Sequence, residues 1–168
     1  YFKEFSDKVT SVLSEEDPKN AASFTANNLA FQQKLDLLHT AVVNTIATLA
    51  PEKRILVTAH DAFNYFGKAY GFKVVGLQGL STATEAGVQD VQKLSEYIIA
   101  NKVKAIFIES SVPRRTIEAL QEAVLSKGHQ VSIGGSLYSD ALGDGGSVEG
   151  TYVGMFLYNI KTIVNALQ

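Results

Sequence analysis

Beyond Pro51 the chain alternates four short β-rich runs with four helical patterns, and this alternation restricts the fold more than any other feature. The β-rich runs cover 54–58, 73–77, 104–108 and 129–133, and the helical patterns cover 61–70, 84–101, 113–127 and 151–167. Gly71 and Gly128 stop the first and third helices, the usual place for a glycine. Strands joined through helices of this length need crossover connections, which implies a parallel sheet with helices on both faces. Ile55-Leu56-Val57 and Ala105-Ile106-Phe107-Ile108 are apolar throughout instead of alternating, as strands covered on both sides are. The last helix should bury Met155, Ile160, Ile163, Val164 and Leu167, and the Gly-rich stretch over 134–150 reads as a flexible rim loop.

The first fifty residues have a different texture. Phe2, Phe5, Val9, Val12 and Leu13 fall on one helical face. Glu15-Glu16-Asp17-Pro18 breaks that pattern, with Asp17 placed to cap a new helix and Pro18 in its first turn. No Gly or Pro occurs from 19 to 50, and Phe24, Phe31, Leu35, Leu38, Val42, Ile46 and Leu49 recur at intervals of three, four or seven. This reads as one helix of about 30 residues, near 45 Å long at ~1.5 Å per residue. Such a helix must run along the whole body or project to meet something else. The expected organisation is α/β: an N-terminal helical segment over 1–50 that includes a long helix at about 18–50, then a Rossmann-like (βα)4 lobe over 51–168. Tyr1-Phe2-Lys3-Glu4-Phe5 reads as the inside of a helix instead of a signal peptide. With no initiator Met, the sequence reads as a piece of a longer chain.

Composition removes several function classes. The 168 residues hold no cysteine, which excludes a disulfide scaffold, a thiolate zinc site, an iron–sulfur cluster and a cysteine nucleophile. A formal net charge of −2 gives no basic stripe for nucleic acid. No apolar run approaches the ~18 residues of a transmembrane helix. There is no G-x-x-x-x-G-K-[ST] phosphate loop and no G-x-S-x-G nucleophile elbow; Gly143-Asp144-Gly145-Gly146 misses G-x-G-x-x-G because Val148 holds the final position.

In doubly covered parallel sheets ligands bind beyond the carboxyl ends of the strands. The first run is followed there by Thr58-Ala59-His60-Asp61-Ala62-Phe63, the third by Glu109-Ser110-Ser111-Val112-Pro113, and the fourth by Gly134-Gly135-Ser136-Leu137-Tyr138-Ser139-Asp140. A histidine, a glutamate and an aspartate from three loops should therefore share one rim, a donor set suited to zinc, manganese or ferrous iron. Each has a bland alternative: His60 as a capping or packing residue, Asp140 as a turn residue, Glu109 as the partner of Arg114 or Arg115. Ser110, His60 and Asp140 have no local feature of a catalytic triad. His39 and His129 lie away from the strand ends and read as structural or solvated. Phe63, Tyr65, Phe66, Tyr70 and Phe72 read as core between helix and sheet, not a stacking platform for bases.

Thr58-Ala59-His60-Asp61-Ala62-Phe63-Asn64-Tyr65-Phe66-Gly67-Lys68-Ala69-Tyr70-Gly71-Phe72 resembles the central signature of the zinc/manganese-binding receptors of bacterial ABC transporters, the cluster A-I (cluster 9) solute-binding proteins. The likeness continues through Gly76-Leu77-Gln78-Gly79-Leu80-Ser81-Thr82, Ile106-Phe107-Ile108-Glu109-Ser110-Ser111, Leu137-Tyr138-Ser139-Asp140-Ala141-Leu142-Gly143 and Glu149-Gly150-Thr151-Tyr152-Val153-Gly154-Met155. The resemblance implies two (βα)4 lobes joined by one rigid helix, with a divalent metal between them. Residues 18–50 would be that helix and 51–168 the C-terminal lobe. That lobe would supply two metal ligands, His60 and Asp140, with Glu109 supporting from behind. A histidine at position 60 favours zinc, with manganese or iron as the other options. The family's two remaining ligands are N-terminal-lobe histidines, one in a D-P-H motif, whereas Asp17-Pro18 is followed here by Lys19. The chain is then expected to be the C-terminal part of an extracytoplasmic receptor, periplasmic or lipid-anchored. Its partners would be its own N-terminal lobe and a membrane permease, with no nucleic acid involved. It would not be an enzyme. Because imidazole must be deprotonated to bind a metal, affinity in the intact receptor should fall as pH drops through the histidine range. The rival readings are a metal-dependent hydrolase that uses His60, Glu109 and Asp140 with an activated water, and a pure interaction module.

Overall fold

The structure, a computed structural model, describes residues 1–79 and 87–168. The backbone divides into two compact units, Tyr1–Val42 and Val43–Gln168. In the first, α1 (Phe2–Glu16) is followed by a 3-10 turn at Pro18–Asn20 and then by α2 (Ala21–Ile46), within which the division falls. Asp17 serves the turn and not the helix: its carbonyl accepts the Asn20 N–H at 3.1 Å and its carboxylate accepts Asn20 Nδ2 at 2.7 Å. α1 and α2 are tied by polar contacts. Lys3 Nζ lies 2.8 Å from Asp36 Oδ1, Asn28 donates to Asp7, and Gln32 Nε2 donates to the Lys3 carbonyl. The expected apolar face of α1 exists, but Phe2, Phe5, Val9, Val12 and Leu13 are all exposed.

The long helix is shorter than its composition suggests. It ends at Ile46 and not near 50, because Ala50 precedes Pro51 and takes an extended conformation (φ −59°, ψ 141°) that a pre-proline residue favours. A 3-10 turn at Pro51–Lys53 follows. Arg54 then collects the loose carbonyls of the helix end: Nε and Nη2 donate to Leu49 O at 3.1 and 3.0 Å, and Nη2 also reaches Ile46 O at 3.3 Å. Charged hydrogen bonds of this kind contribute about 1.5–3 kcal/mol. Arg54→Ala is expected to lower the unfolding free energy by about that amount, as read by urea denaturation; a loss under about 0.5 kcal/mol would mean that water replaces the guanidinium at no cost.

The second unit, which begins at Val43 and not at 51, contains the expected α/β fold. Strands β1 (Ile55–Thr58), β2 (Lys73–Gly76), β3 (Ala105–Glu109) and β4 (Ser132–Leu137) form one parallel sheet in the order β2-β1-β3-β4. Between and after them lie α3 (Asn64–Tyr70), α4 (Val88–Ala100), α5 (Arg115–Ser126) and α6 (Tyr152–Leu167). Ile106 and Ile108 of β3 pack with Leu94 and Ile98 of α4 and Ile117 and Leu120 of α5 in one core. Phe107, on the opposite face of β3, lies beneath β4 and Ala166 of α6, so helices cover both sides. The part of the predicted second helix at 84–86 lies outside the described residues. The aromatic cluster is mixed: Phe72 is buried and Phe66 half-buried, but Tyr65 is 72% exposed.

The fourth strand departs most from expectation. It spans Ser132–Leu137, not 129–133, so Gly134 and Gly135 belong to the strand and not to a loop. Register explains this, since Ala105 pairs with Ser132 and Glu109 with Leu137, with an irregularity between Ile106 and Ile108. A Cβ at Gly134 would come within 2.7 Å of both Phe107 Cε1 and Ala166 Cβ. The missing side chain is what lets α6 approach the sheet. The remaining loop is not an unstructured rim. Gly143 N–H bonds Glu149 O at 2.9 Å, Ser147 N–H bonds Asp144 O at 3.0 Å, and Thr151 Oγ1 caps α6 by accepting the Gly154 N–H.

Candidate metal site

The chain runs from β1 to β2 on one side of the sheet and to β3 on the other, so the crevice at the carboxyl ends of β1 and β3 is where strand order reverses. His60 lies two residues past β1, Glu109 is the last residue of β3, and Asp140 lies three residues past β4. The structure brings all three together.

His60 is held by its backbone before its side chain does anything. Its carbonyl accepts Thr58 Oγ1 at 2.9 Å and the Ala62 N–H at 3.0 Å, while its N–H donates to Glu109 Oε1 at 2.8 Å. Gly76 at the end of β2 makes room for this turn, since a Cβ there would lie 2.9 Å from both the His60 carbonyl carbon and the Asp61 nitrogen. The imidazole is 3% exposed. Its Nδ1 lies 2.8 Å from Glu109 Oε2, and its Nε2 lies 3.1 Å from Asp140 Oδ2.

This geometry separates the roles that the sequence placed on one rim. Glu109 is fully buried behind the ring, with one oxygen on the His60 backbone and the other on the His60 ring. Asp140 is on the solvent side, its side chain 61% exposed. Among the described residues no three His, Cys, Asp or Glu side chains converge on one point. The three form a line, Glu109–His60–Asp140, because a flat ring presents its two nitrogens in divergent directions. A carboxylate only accepts hydrogen bonds, so the Glu109 oxygen 2.8 Å from Nδ1 favours the tautomer with its proton on Nδ1 and a lone pair on Nε2. That lone pair faces a second carboxylate. Two acceptors 3.1 Å apart repel unless a cation joins them, and donors around a tetrahedral zinc with bonds of ~2.0–2.2 Å are separated by about 3.4 Å. The pair has the chemistry and spacing of one edge of a metal polyhedron.

The cleft in front of this edge has a volume of about 450 Å³ and is lined by His60, Asp61, Ala62, Asn64, Tyr65 and Asp140. Burial, followed by the nearby charges of Glu149, Tyr158 and Asp144, raises the Tyr138 phenol above its ordinary range; burial likewise raises Tyr70 and Tyr152. Near neutral pH these phenols stay protonated and offer no phenolate to compete for a cation.

Of the two alternative partners for Glu109, Arg114 is engaged elsewhere, its Nε pairing with Glu118 Oε1 at 2.7 Å. His39 is exposed on α2, and His129 is half-buried ahead of β4, at the opposite end of that strand from Asp140. Four supporting residues carried no sequence signal read as such: Thr58, Gly76, Ser139 and Asn159. Only Gly76, a glycine at the end of a β-rich run, could have been picked out.

The fold is a parallel α/β lobe with a histidine–carboxylate pair at its strand ends, and the comparisons say which family it belongs to. A family model described as "Zinc-uptake complex component A periplasmic" matches residues 1–166, and the chain belongs to that family. It is 55% identical over 150 residues to the zinc-binding protein TroA of Treponema pallidum, covering 89% of this chain and 49% of that protein. It is 47% identical over 162 residues to the manganese-binding lipoprotein MntA of Bacillus subtilis, covering 96% of this chain and 53% of that protein. The solved structure of the periplasmic zinc-binding protein TroA from Treponema pallidum superposes with a TM-score of 0.93 at 52% identity, over 96% of this chain and 58% of that one. The chain thus spans about half the length of the curated relatives it matches. The family is one of metal-binding proteins, not enzymes, and nothing in it supports a hydrolase; Glu109, one of the three groups that reading used, is buried and does not line the cleft.

Proposed function

We propose that this chain is the C-terminal part of an extracytoplasmic receptor that captures a divalent metal, zinc ahead of manganese or iron, and hands it to an ABC permease. One observation carries the reading: a buried imidazole whose Nδ1 is held by Glu109 and whose Nε2 sits 3.1 Å from the exposed Asp140. His60 Nε2 and Asp140 Oδ2 supply two donors, and Glu109 orients the ring without touching the ion. Two donors neither fix a tetrahedral shell nor exclude water, so the remaining ligands come from an N-terminal lobe on the far side of the cleft, joined through the helical segment over 1–50. The names of the relatives, periplasmic or lipoprotein, support the location. Among the described residues no helix is long and apolar enough to cross a membrane. With two donors fixed on a rigid sheet and two on another lobe, the ion can be gripped or released by moving the lobes, without any covalent step.

The reading is tested by calorimetric titration of the 168-residue chain with zinc and with manganese, beside Asp140→Asn. Weak 1:1 zinc binding is expected, stronger than manganese binding and reduced at least tenfold in the variant, since losing even an outer partner of a ligand commonly costs 10–100-fold. Heats that do not change with the substitution would remove Asp140 from the site and overturn the reading.

A further inference from the structure

Asp140 is a ligand candidate whose own side chain is mostly in solvent, at 61% exposed. Packing does not place it, so its backbone must. That backbone is unusual: φ at Asp140 is +58°, in the left-handed region that few residues other than glycine adopt. The β4 ladder gives no help here. β4 is an edge strand, its last pairing joins Glu109 and Leu137, and the Leu137 carbonyl accepts the Ser110 N–H. Among the described residues the β3–β4 pairing ends there, so Tyr138 lies beyond the ladder.

Asn159, in the middle of α6 and 5% exposed, takes the place of a ladder partner there. Its Oδ1 accepts the Tyr138 N–H at 2.9 Å, and its Nδ2 donates to the Tyr138 carbonyl at 2.9 Å, with Met155 Sδ at 3.4 Å as a further contact. A primary amide offers one acceptor and one donor side by side, the pattern that a neighbouring strand would present. Ser139 is pinned next: its Oγ lies 2.7 Å from Ser111 Oγ, and its N–H and carbonyl both meet Ser110 Oγ at 3.4 Å. Both residues before Asp140 are therefore fixed, and the left-handed turn then aims the carboxylate at His60 Nε2.

We infer that Asn159 is a positioning residue for the metal carboxylate: its amide clamps the Tyr138 backbone and thereby sets the Asp140–His60 separation. The inference rests on the reading of Asp140 as a metal donor. A clamp that acts through Asp140 has a signature that a merely structural residue lacks. Its removal weakens zinc binding only while Asp140 can bind zinc, whereas its effect on stability is the same with or without Asp140.

The experiment is a double-mutant cycle on the 168-residue chain with Asn159→Ala, Asp140→Asn and the double variant. Zinc affinity comes from amide NMR titration, which measures weak binding, and stability comes from thermal unfolding. Asn159→Ala is expected to weaken zinc binding about tenfold in the parent and less than about twofold beside Asp140→Asn, with equal falls in Tm in both backgrounds. Asn159→Asp keeps the volume and the bond from the Tyr138 N–H but sets a carboxylate against the Tyr138 carbonyl. It carries the test if the alanine variant does not fold, with a several-fold loss of zinc affinity that again requires Asp140. Zinc affinity unchanged by both Asn159 variants, while Asp140→Asn lowers it, overturns the inference and leaves the functional reading intact. An equal loss in both backgrounds also overturns it. If Asp140→Asn by itself leaves zinc affinity unchanged, the functional reading fails first, and the clamp then has no ligand to position.

Discussion

His60→Asn is expected to abolish zinc binding by this chain while leaving it folded. An asparagine amide at position 60 can still donate a hydrogen bond to Glu109 from near the place of Nδ1, so the buried carboxylate keeps a partner. What it cannot supply is a donor atom at the position of Nε2, 3.1 Å from Asp140 Oδ2. The ion would be left with one exposed carboxylate, which in water holds a divalent cation no better than any surface aspartate. The loss should therefore exceed the 10–100-fold commonly seen when only an outer partner is removed. The check is an amide NMR titration with zinc beside a urea melt. Shifts at Asp140 that saturate at the parental zinc concentration would take His60 out of the site. His60→Ala is the poorer probe, because it leaves Glu109 buried with nothing facing one of its oxygens, and an unsatisfied buried acceptor costs about 1–3 kcal/mol on its own.

Glu109 should show the opposite balance, with stability and binding lost together. Glu109→Ala strips the partner from the buried His60 N–H, bonded at 2.8 Å, and removes the carboxylate oxygen that lies 2.8 Å from His60 Nδ1. At roughly 1–3 kcal/mol for a buried donor left unsatisfied, the expected cost is about 1–3 kcal/mol. That is a sizeable part of the 5–15 kcal/mol by which domains are typically stable. Glu109→Gln is the gentler variant. Its amide has only one acceptor oxygen for two donors, so its NH2 faces either the backbone N–H or the ring. In the second case the ring proton moves to Nε2 and blocks the metal. A 10–100-fold fall in zinc affinity with a modest loss of stability is expected. Two observations would argue against it: a Glu109→Gln protein that binds zinc as the parent does, or a Glu109→Ala protein with an unchanged urea midpoint.

Much of this fold is legible from short-range pattern. The strand–helix alternation, the Gly71 and Gly128 stops, the apolar β1 and β3 runs and the Thr151 start of α6 all rest on local periodicity and turn chemistry. Misreadings occur where a longer-range partner overrides the local preference. β4 keeps two glycines because they fall at the irregularity between the Ile106–Ile133 and Ile108–Ser136 pairings with β3, and because α6 needs the space. Its predicted start at 129 gives way because the register begins at Ser132. The long helix stops four residues early, and Arg54 covers the end from the next element.

That His60, Glu109 and Asp140 share one edge could be read in advance for a simple reason. In a parallel sheet the carboxyl ends of strands share one edge, so His60, Glu109 and Asp140 had to come near one another. Which side of the imidazole each carboxylate would occupy followed from no periodicity or spacing; only the family resemblance put Glu109 behind the ring. It depends on strand order, on β1 lying directly beside β3, and on Glu109 being the last residue of its strand. Only the folded sheet fixes these relations, because they join residues 49 positions apart in the chain. The same holds for Asn159 and Tyr138, 21 positions apart, whose pairing exists because the β3–β4 ladder ends where α6 passes beneath it. By itself the sequence determined the elements, the rim and the chemical types gathered there, since these follow from local propensity and the polarity of a parallel sheet. Tertiary structure alone decided which groups face the cleft and which stay buried behind it, since that is settled by packing distances between segments that no local period connects.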